Sequence, residues 1–89
     1  MEINQDVRDD LRRRLARIEG QVRGIAAMLD DERECRDIVT QIAAATKALE
    51  QVGFKMLATG LTSCLEDPKR SAAAGYSVDE VEKLFLKLA

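Results

Sequence analysis

Hydrophobic residues recur at alternating steps of three and four along the first third of the chain. The set is Val7, Leu11, Leu15, Ile18, Val22, Ile25 and Leu29. Because an α-helix has 3.6 residues per turn, this spacing puts all of them on one face. The pattern predicts an amphipathic helix from about Asp6 to Asp30, with arginines on its other faces.

A second apolar stripe follows the polar segment 30–32. Its members are Ile38, Ile42, Ala45, Leu49, Val52 and Met56, at the a and d spacing of a heptad. The stripe predicts a helix from about Glu32 or Glu34 to Leu65, well above the usual globular length. We expect the Asp67-Pro68 pair to end this helix, because proline cannot continue the hydrogen-bond ladder and restricts the residue before it.

The last part of the chain predicts a connection and a third helix. Residues 71–76, which include an Ala-Ala-Ala-Gly run, are predicted to form a short connection. The segment from Ser77 to Glu80 has the form of a capping box that opens a helix. No strand-like alternation is present in the sequence, so we expect a single all-α domain over residues 1–89.

The long second helix cannot bury a continuous heptad stripe inside one chain of 89 residues. Aromatic residues make up only 3% of the sequence, so large core anchors are scarce. We therefore expect two chains to pair antiparallel as a four-helix bundle, with the two-fold axis near Leu49 and Glu50.

Cys35 and Cys64 are the only cysteines, and the sequence contains no histidine. Both fall in the predicted second helix, where a rise of ~1.5 Å per residue separates them by on the order of 40 Å. That distance excludes a disulfide or a shared ligand within one continuous helix. In the antiparallel dimer, however, Cys35 of one chain would lie beside Cys64 of the partner subunit, which predicts two equivalent dithiol sites.

The charge is small overall but unevenly distributed. The net charge of −2 argues against a protein that coats polyanions generally. From Arg12 to Arg23, however, the sequence has five arginines and one acidic residue, Glu19. The sequence shows no signal peptide and no apolar membrane span, so we expect a cytoplasmic protein. In that compartment two cysteines indicate reactive or metal-binding thiols before a structural disulfide.

Three parts of the sequence resemble one known family. They are the string RLARIEGQVRGI beginning at Arg14, the string CRDIVTQIAAA beginning at Cys35, and Cys64 itself. The chain is similar to the CsoR/RcnR family of copper- and nickel-sensitive repressors. The resemblance implies a three-helix protomer, a dimer that assembles further into a tetramer, and binding of operator DNA that an inducer releases. A thiol-dependent enzyme is not expected, because the sequence has neither a histidine base nor a CxxC pair.

The resemblance also decides how the arginines are interpreted. On charge alone, arginines on an amphipathic helix indicate a solvated face rather than a DNA contact. In the family string, the DNA-binding candidates are Arg14, Arg17 and Arg23, and Lys47 and Lys55 on the second helix extend that surface. Because no helix-turn-helix motif is present, binding is expected to rely on phosphate contacts and DNA shape.

The resemblance assigns the two cysteines to the inducer site. Copper-sensing members use a cysteine and then a His-x-x-x-Cys motif on the same long helix, with ligands shared between protomers. Cys35 matches the first ligand and Cys64 the last, but Gly60 stands at the histidine position. One branch of the family keeps both cysteines without the histidine and senses reactive sulfur species, and at the site this sequence is similar to that branch.

The sequence therefore predicts a repressor that needs no cofactor and senses persulfide, another reactive sulfur species or redox conditions at Cys35 and Cys64. Copper(I) is the alternative inducer, because two soft thiolates can still hold it. Two further alternatives stay open: a helical interaction module that does not bind DNA, and cysteines that simply pack as small apolar residues.

Two other positions correspond to functional positions in the family, and a third lies near one of them. Glu80 lies where copper-sensing members place an acid near the metal ligands, and Tyr76 is close by in sequence. The capping box with Ser77 explains Glu80 equally well and is preferred. Glu2 stands where a formaldehyde-sensing branch has a proline, so that activity is not expected.

Overall fold

The computed structural model describes residues 3–89, which form helices and no strand. The helices are α1 (Gln5–Asp30), α2 (Cys35–Glu66), α3 (Pro68–Ala73) and α4 (Val78–Leu88). The predicted all-α fold is confirmed, and both long helices begin and end within about two residues of the predicted positions. Glu2 lies outside the described residues. Within residues 3–89, no helix is both long enough and apolar enough to cross a membrane.

A Schellman motif ends α1. The Arg33 N–H donates to the Met28 carbonyl at 3.0 Å, and the Glu32 N–H donates to the Leu29 carbonyl at 3.2 Å. Glu32 therefore adopts the left-handed conformation, with φ of 53°. Glycine usually occupies this position because a side chain is strained there. The turn is followed directly by α2, whose first residue is Cys35.

Asp67 and Pro68 end α2 as predicted, but the connection that was expected at residues 71–76 is partly helical. Pro68 occupies the start of α3, where its missing N–H costs nothing, and the Asp67 carboxylate accepts a hydrogen bond from the Arg70 N–H at 3.2 Å. A second Schellman motif, with Gly75 at φ of 90°, ends this short helix. The same proline that stops one helix thus starts the next.

The predicted cap of the last helix is confirmed. Ser77 is the N-cap of α4, and its hydroxyl accepts a hydrogen bond from the Glu80 N–H at 3.2 Å. Asp79 and Glu80 lie in the first turn and Lys87 in the last, which suits the helix dipole at both ends.

The helices group into two compact units. The first unit, Asp9–Val52, contains most of α1 and the first half of α2. Leu11, Ile18, Ala45 and Val52 are its buried hydrophobic residues. The second unit contains Gly53–Ala89 together with the start of α1 up to Arg8. Its buried hydrophobic residues are Leu57, Cys64 and Val81.

The two predicted apolar stripes are only partly buried. In α1, Leu11 and Ile18 are buried, whereas the alternate positions Leu15, Val22 and Leu29 are exposed. The second stripe behaves in the same way. Its exposed members are Ile42, Leu49 and Met56, again at intervals of seven.

Candidate functional site

Cys35 is the first residue of α2, and its thiol is exposed and free. The preceding carbonyl, that of Glu34, accepts the first hydrogen bonds of the helix, from the N–H groups of Asp37 at 3.0 Å and Ile38 at 3.1 Å. The backbone of Cys35 is therefore fixed by the helix while its side chain stays open to solvent. A reagent in solution can reach this thiol directly.

Cys64 lies 29 positions further along the same helix and has the opposite environment. Its thiol is free, but only 2% of the residue is exposed. The two thiols of the predicted site therefore differ in their access to solvent. Within one chain, α2 keeps them near its opposite ends.

Gly60, at the histidine position of the family's copper site, is also buried. It belongs to a stripe of α2 with a and d spacing that is distinct from the predicted one: Gly53, Leu57, Gly60 and Cys64. The two glycines inside the long helix indicate a close approach of another helix, but the full stripe was not predicted because glycines carry no hydrophobic side chain. The signal that could have revealed it was the seven-residue spacing of Gly53 and Gly60.

The described residues of one chain form no cluster of three metal ligands. Among residues 3–89, no three cysteine, aspartate, glutamate or histidine side chains come close enough to hold an ion.

Two of the predicted DNA-binding arginines lie together. Arg14 and Arg17 of α1 line a shallow groove with Gln51 of α2. The remaining lining residues are Ile18, Gln21 and Ala48. Arg14 is half-buried, and its Nε donates to Asp10 Oδ2 at 2.9 Å, whereas Arg17 is exposed.

Arg23 does not share this groove. It follows Arg14 by nine residues, or about two and a half helical turns, so the two side chains point to opposite sides of α1. The Arg23 guanidinium lies 4.0 Å from Glu19 in an exposed pair that contributes little to stability. Lys47 is exposed on α2 and Lys55 is half-buried. The structure thus brings together Arg14 and Arg17, but not all five predicted residues.

Tyr76 and Glu80 are both half-buried, and each has a structural role. The Tyr76 carbonyl accepts a hydrogen bond from the Ser71 hydroxyl at 2.6 Å, and its N–H donates to the Ser71 carbonyl at 2.9 Å. Tyr76 also borders a pocket whose lining includes Glu66 and Arg70. The Glu80 backbone N–H donates to the Ser77 hydroxyl at 3.2 Å, which is one of the two hydrogen bonds of the predicted capping box.

A protein-family model and two curated proteins match this chain in sequence. The family model described as "Metal-sensitive transcriptional repressor" matches residues 7–87. The copper-sensing transcriptional repressor CsoR of Bacillus subtilis is 36% identical over 80 residues, which cover 90% of this chain and 79% of that protein. The copper-sensing transcriptional repressor RicR of Mycobacterium tuberculosis is 45% identical over 58 residues, which cover 65% of this chain and 60% of that protein.

A solved structure agrees with these relatives. The crystal structure of the copper-sensing repressor CsoR with Cu(I) from Geobacillus thermodenitrificans superposes with a TM-score of 0.80 at 33% identity. The match covers 98% of this chain and 91% of the other. The relatives are repressors and not enzymes. The helical fold and the family match over residues 7–87 together establish that this chain belongs to the metal-sensitive transcriptional repressor family.

Proposed function

We propose that this chain is a repressor whose affinity for operator DNA is lost when a reactive sulfur species modifies Cys35 and Cys64 of the partner subunit. The observation that carries the proposal is the donor set. The sequence has two thiols and no histidine, and a buried glycine, Gly60, occupies the histidine position of the family's copper site. Such a pair suits sulfur exchange better than a three-ligand metal site.

The chemistry needs only thiols and a persulfide. The exposed Cys35 thiolate attacks the sulfane sulfur of RSSH and displaces RSH, which leaves a persulfide on Cys35. The Cys64 thiolate of the partner subunit then attacks Cys35 Sγ, displaces hydrosulfide and closes a disulfide. Overall, two thiols and RSSH give a disulfide, RSH and H₂S. No metal or other oxidant is consumed.

Copper(I) is the second candidate inducer, and the relatives favour it. Both curated relatives are named copper-sensing repressors, and the superposed structure contains Cu(I). Two thiolates can bind Cu(I) in a linear arrangement, since soft sulfur ligands suit this ion. The same two cysteines would then bind the ion reversibly instead of forming a covalent bond.

The proposed assembly is a dimer, which pairs further into a tetramer. The exposed apolar positions Leu15, Val22, Ile42 and Leu49 offer the surface for it, because residues of this kind at heptad spacing are normally covered by another helix. Antiparallel pairing about Leu49 brings Cys35 of each chain toward Cys64 of the partner subunit. Each dimer then has two inducer sites. Each chain forms a single helical domain that contributes one cysteine to each site.

DNA binding is proposed to begin at the groove of Arg14 and Arg17. Both side chains can reach phosphate oxygens, and Arg23, Lys47 and Lys55 would contribute from neighbouring faces of the assembled oligomer. The proposed place of action is the cytoplasm, together with the operator DNA that the domain would bind. A helical interaction module without DNA binding is the competing function, and a DNA-binding assay separates the two.

The test uses the full-length chain and a duplex selected by the protein from a random DNA library. Retardation of this duplex at physiological salt, lost after treatment with a persulfide donor under anaerobic conditions, supports the proposal. A covalent dimer joined through Cys35 and Cys64 should appear on a non-reducing gel, and neither Cys35→Ser nor Cys64→Ser should form it.

A parallel anaerobic titration with Cu(I), against a tight chelator, decides between the two inducers. Release of DNA by Cu(I) alone, with no effect of the persulfide donor, would assign the site to copper. If no duplex is enriched by the selection, the repressor function itself is wrong.

A further inference from the structure

The C-terminal end of helix α4 contacts the middle of α2 very closely. A Cβ atom built on Gly53 would lie 2.7 Å from Leu88 Cδ1 and 3.0 Å from Leu88 Cδ2. Next to this contact, the ring of Phe54 stacks on the ring of Phe85, which lies about one turn before Leu88, with the centroids 5.9 Å apart. The end of α4 therefore packs directly against Gly53, in space that the side chain of any larger residue would occupy.

The register of the two helices extends this contact to the buried cysteine. Cys64 follows Gly53 by eleven residues on α2, and Ser77 precedes Leu88 by eleven residues as α4 runs back in the opposite direction. Since both helices rise ~1.5 Å per residue, the start of α4 lies level with Cys64. In the same register, Val81 lies level with Gly60.

Burial agrees with this register. Val81 is 1% exposed and Cys64 is 2% exposed, the two most completely buried side chains among the described residues. Cys64 lies on the same face of α2 as Gly53, because eleven residues are close to three full turns. The face that α4 covers is thus the face that carries the second thiol.

We propose that α4 covers Cys64 and must move away before this thiol can react, and we call this arrangement the shutter. Contacts of Leu88 with Gly53 and of Phe85 with Phe54 hold α4 in the covering position. Cys64 reacts only when α4 lifts from α2, whereas the exposed Cys35 reacts without this step. An isolated helix of 11 residues is marginal in water, so α4 depends on this docking and can open locally without unfolding the long helices.

The consequence for the sensor, which rests on the proposed function, is that bridging the two cysteines requires movement of α4. A disulfide needs the two sulfurs ~2 Å apart, and a thiol that is 2% exposed cannot be approached so closely by another chain. Formation of the bridge and displacement of α4 are then one event. This links the sulfur chemistry at the site to a change in the shape of the repressor.

Thiol labelling of the full-length protein tests the shutter without DNA or persulfide. With an aromatic disulfide reagent in excess, Cys64 in the Cys35→Ser variant should react at least about 100-fold more slowly than Cys35 in the Cys64→Ser variant, the population effect of a local opening that costs a few kcal/mol. Adding Gly53→Ala to the Cys35→Ser variant should accelerate labelling of Cys64 about tenfold, because the new Cβ displaces Leu88.

Gly24→Ala in the same background is the matched control, since a Cβ at Gly24 meets nothing within 4 Å. It should leave the labelling rate of Cys64 unchanged. If Gly53→Ala fails to fold by circular dichroism, Leu88→Ala loosens the same contact without a clash and should also accelerate labelling.

Two results would overturn the shutter. One is equal labelling of Cys35 and Cys64. The other is a Cys64 rate that rises as the protein is diluted, because protection would then come from the partner subunit. Neither result bears on operator binding, so a failure of the shutter and a failure of the proposed repressor function remain distinguishable.

Discussion

At the scale of single residues, Arg17 is the sharpest probe of DNA binding because it is an exposed member of the Arg14 and Arg17 groove. Arg17→Ala removes one phosphate interaction per subunit. We expect weaker operator binding and a salt slope reduced by about 0.9 for each phosphate that is no longer neutralised. Affinity measured by fluorescence anisotropy at several salt concentrations checks this prediction.

Arg12→Ala, an equal charge change at an exposed position outside the groove, is the control. Equal decreases in affinity for both variants would contradict a specific role for Arg17.

Glu32 offers a second test at this scale, one of stability. It adopts φ of 53° at the end of α1, and the hydrogen bonds around it form a Schellman motif. Glu32→Gly relieves the strain of a side chain in that conformation. We expect the free energy of unfolding to rise by about 0.5–1 kcal/mol, measured by urea denaturation.

The neighbouring Asp31→Gly variant is the control for this change. Glu32 is the only non-glycine residue with positive φ in the described part of the chain, so a glycine at Asp31 adds flexibility without relieving strain. It should lower the stability. If both glycine variants are more stable than the unmodified protein, the gain in stability comes from the loop as a whole and not from the φ angle of Glu32.

At the scale of elements, α4 depends on its cap. Ser77→Ala removes the hydroxyl that accepts the Glu80 N–H, and we expect a decrease of about 1 kcal/mol in the stability of α4. Because α4 docks locally, amide hydrogen exchange should become faster in α4 while the first half of α2 keeps its protection. Ser77→Asp keeps an acceptor at the N-cap and should restore slow exchange. Uniformly faster exchange along the chain would show that α4 does not open on its own.

The sequence predicted elements well where local patterns determine them. The periodic apolar residues located α1 and α2, and Ser77 located the start of α4. The helix α3 was missed because Asp67-Pro68 was interpreted only as a stop, although aspartate and proline also favour a helix start. The burial of Cys64 alone, with Cys35 exposed, was not predicted. It depends on tertiary packing, and close contacts such as that of Leu88 with Gly53 carry no signal in the hydrophobic periodicity.

At the scale of the whole molecule, the sequence predicted two full apolar stripes, and the structure of one chain buries alternate members of each. Leu11 and Ala45 are buried, for example, while Leu15 and Leu49 are exposed. One chain cannot cover both edges of such stripes, because each helix has too few neighbours within 89 residues. The exposed half of each stripe is the surface on which the proposed dimer depends, and therefore also the surface on which the pairing of Cys35 with Cys64 of the partner subunit depends.

Leu49→Glu tests this dependence, because Leu49 is 52% exposed and lies near the proposed two-fold axis. A two-fold axis would place two new carboxylates close together in an apolar interface, where like charges repel and lose their hydration. We expect the variant to sediment as a monomer and to lose operator binding and the persulfide-dependent covalent dimer together. Leu86→Glu makes the same change at a leucine that is 66% exposed on α4, and it should leave the assembly intact. If Leu49→Glu sediments like the unmodified protein, the chains do not pair about this position, and Cys35 must find its partner thiol in another arrangement.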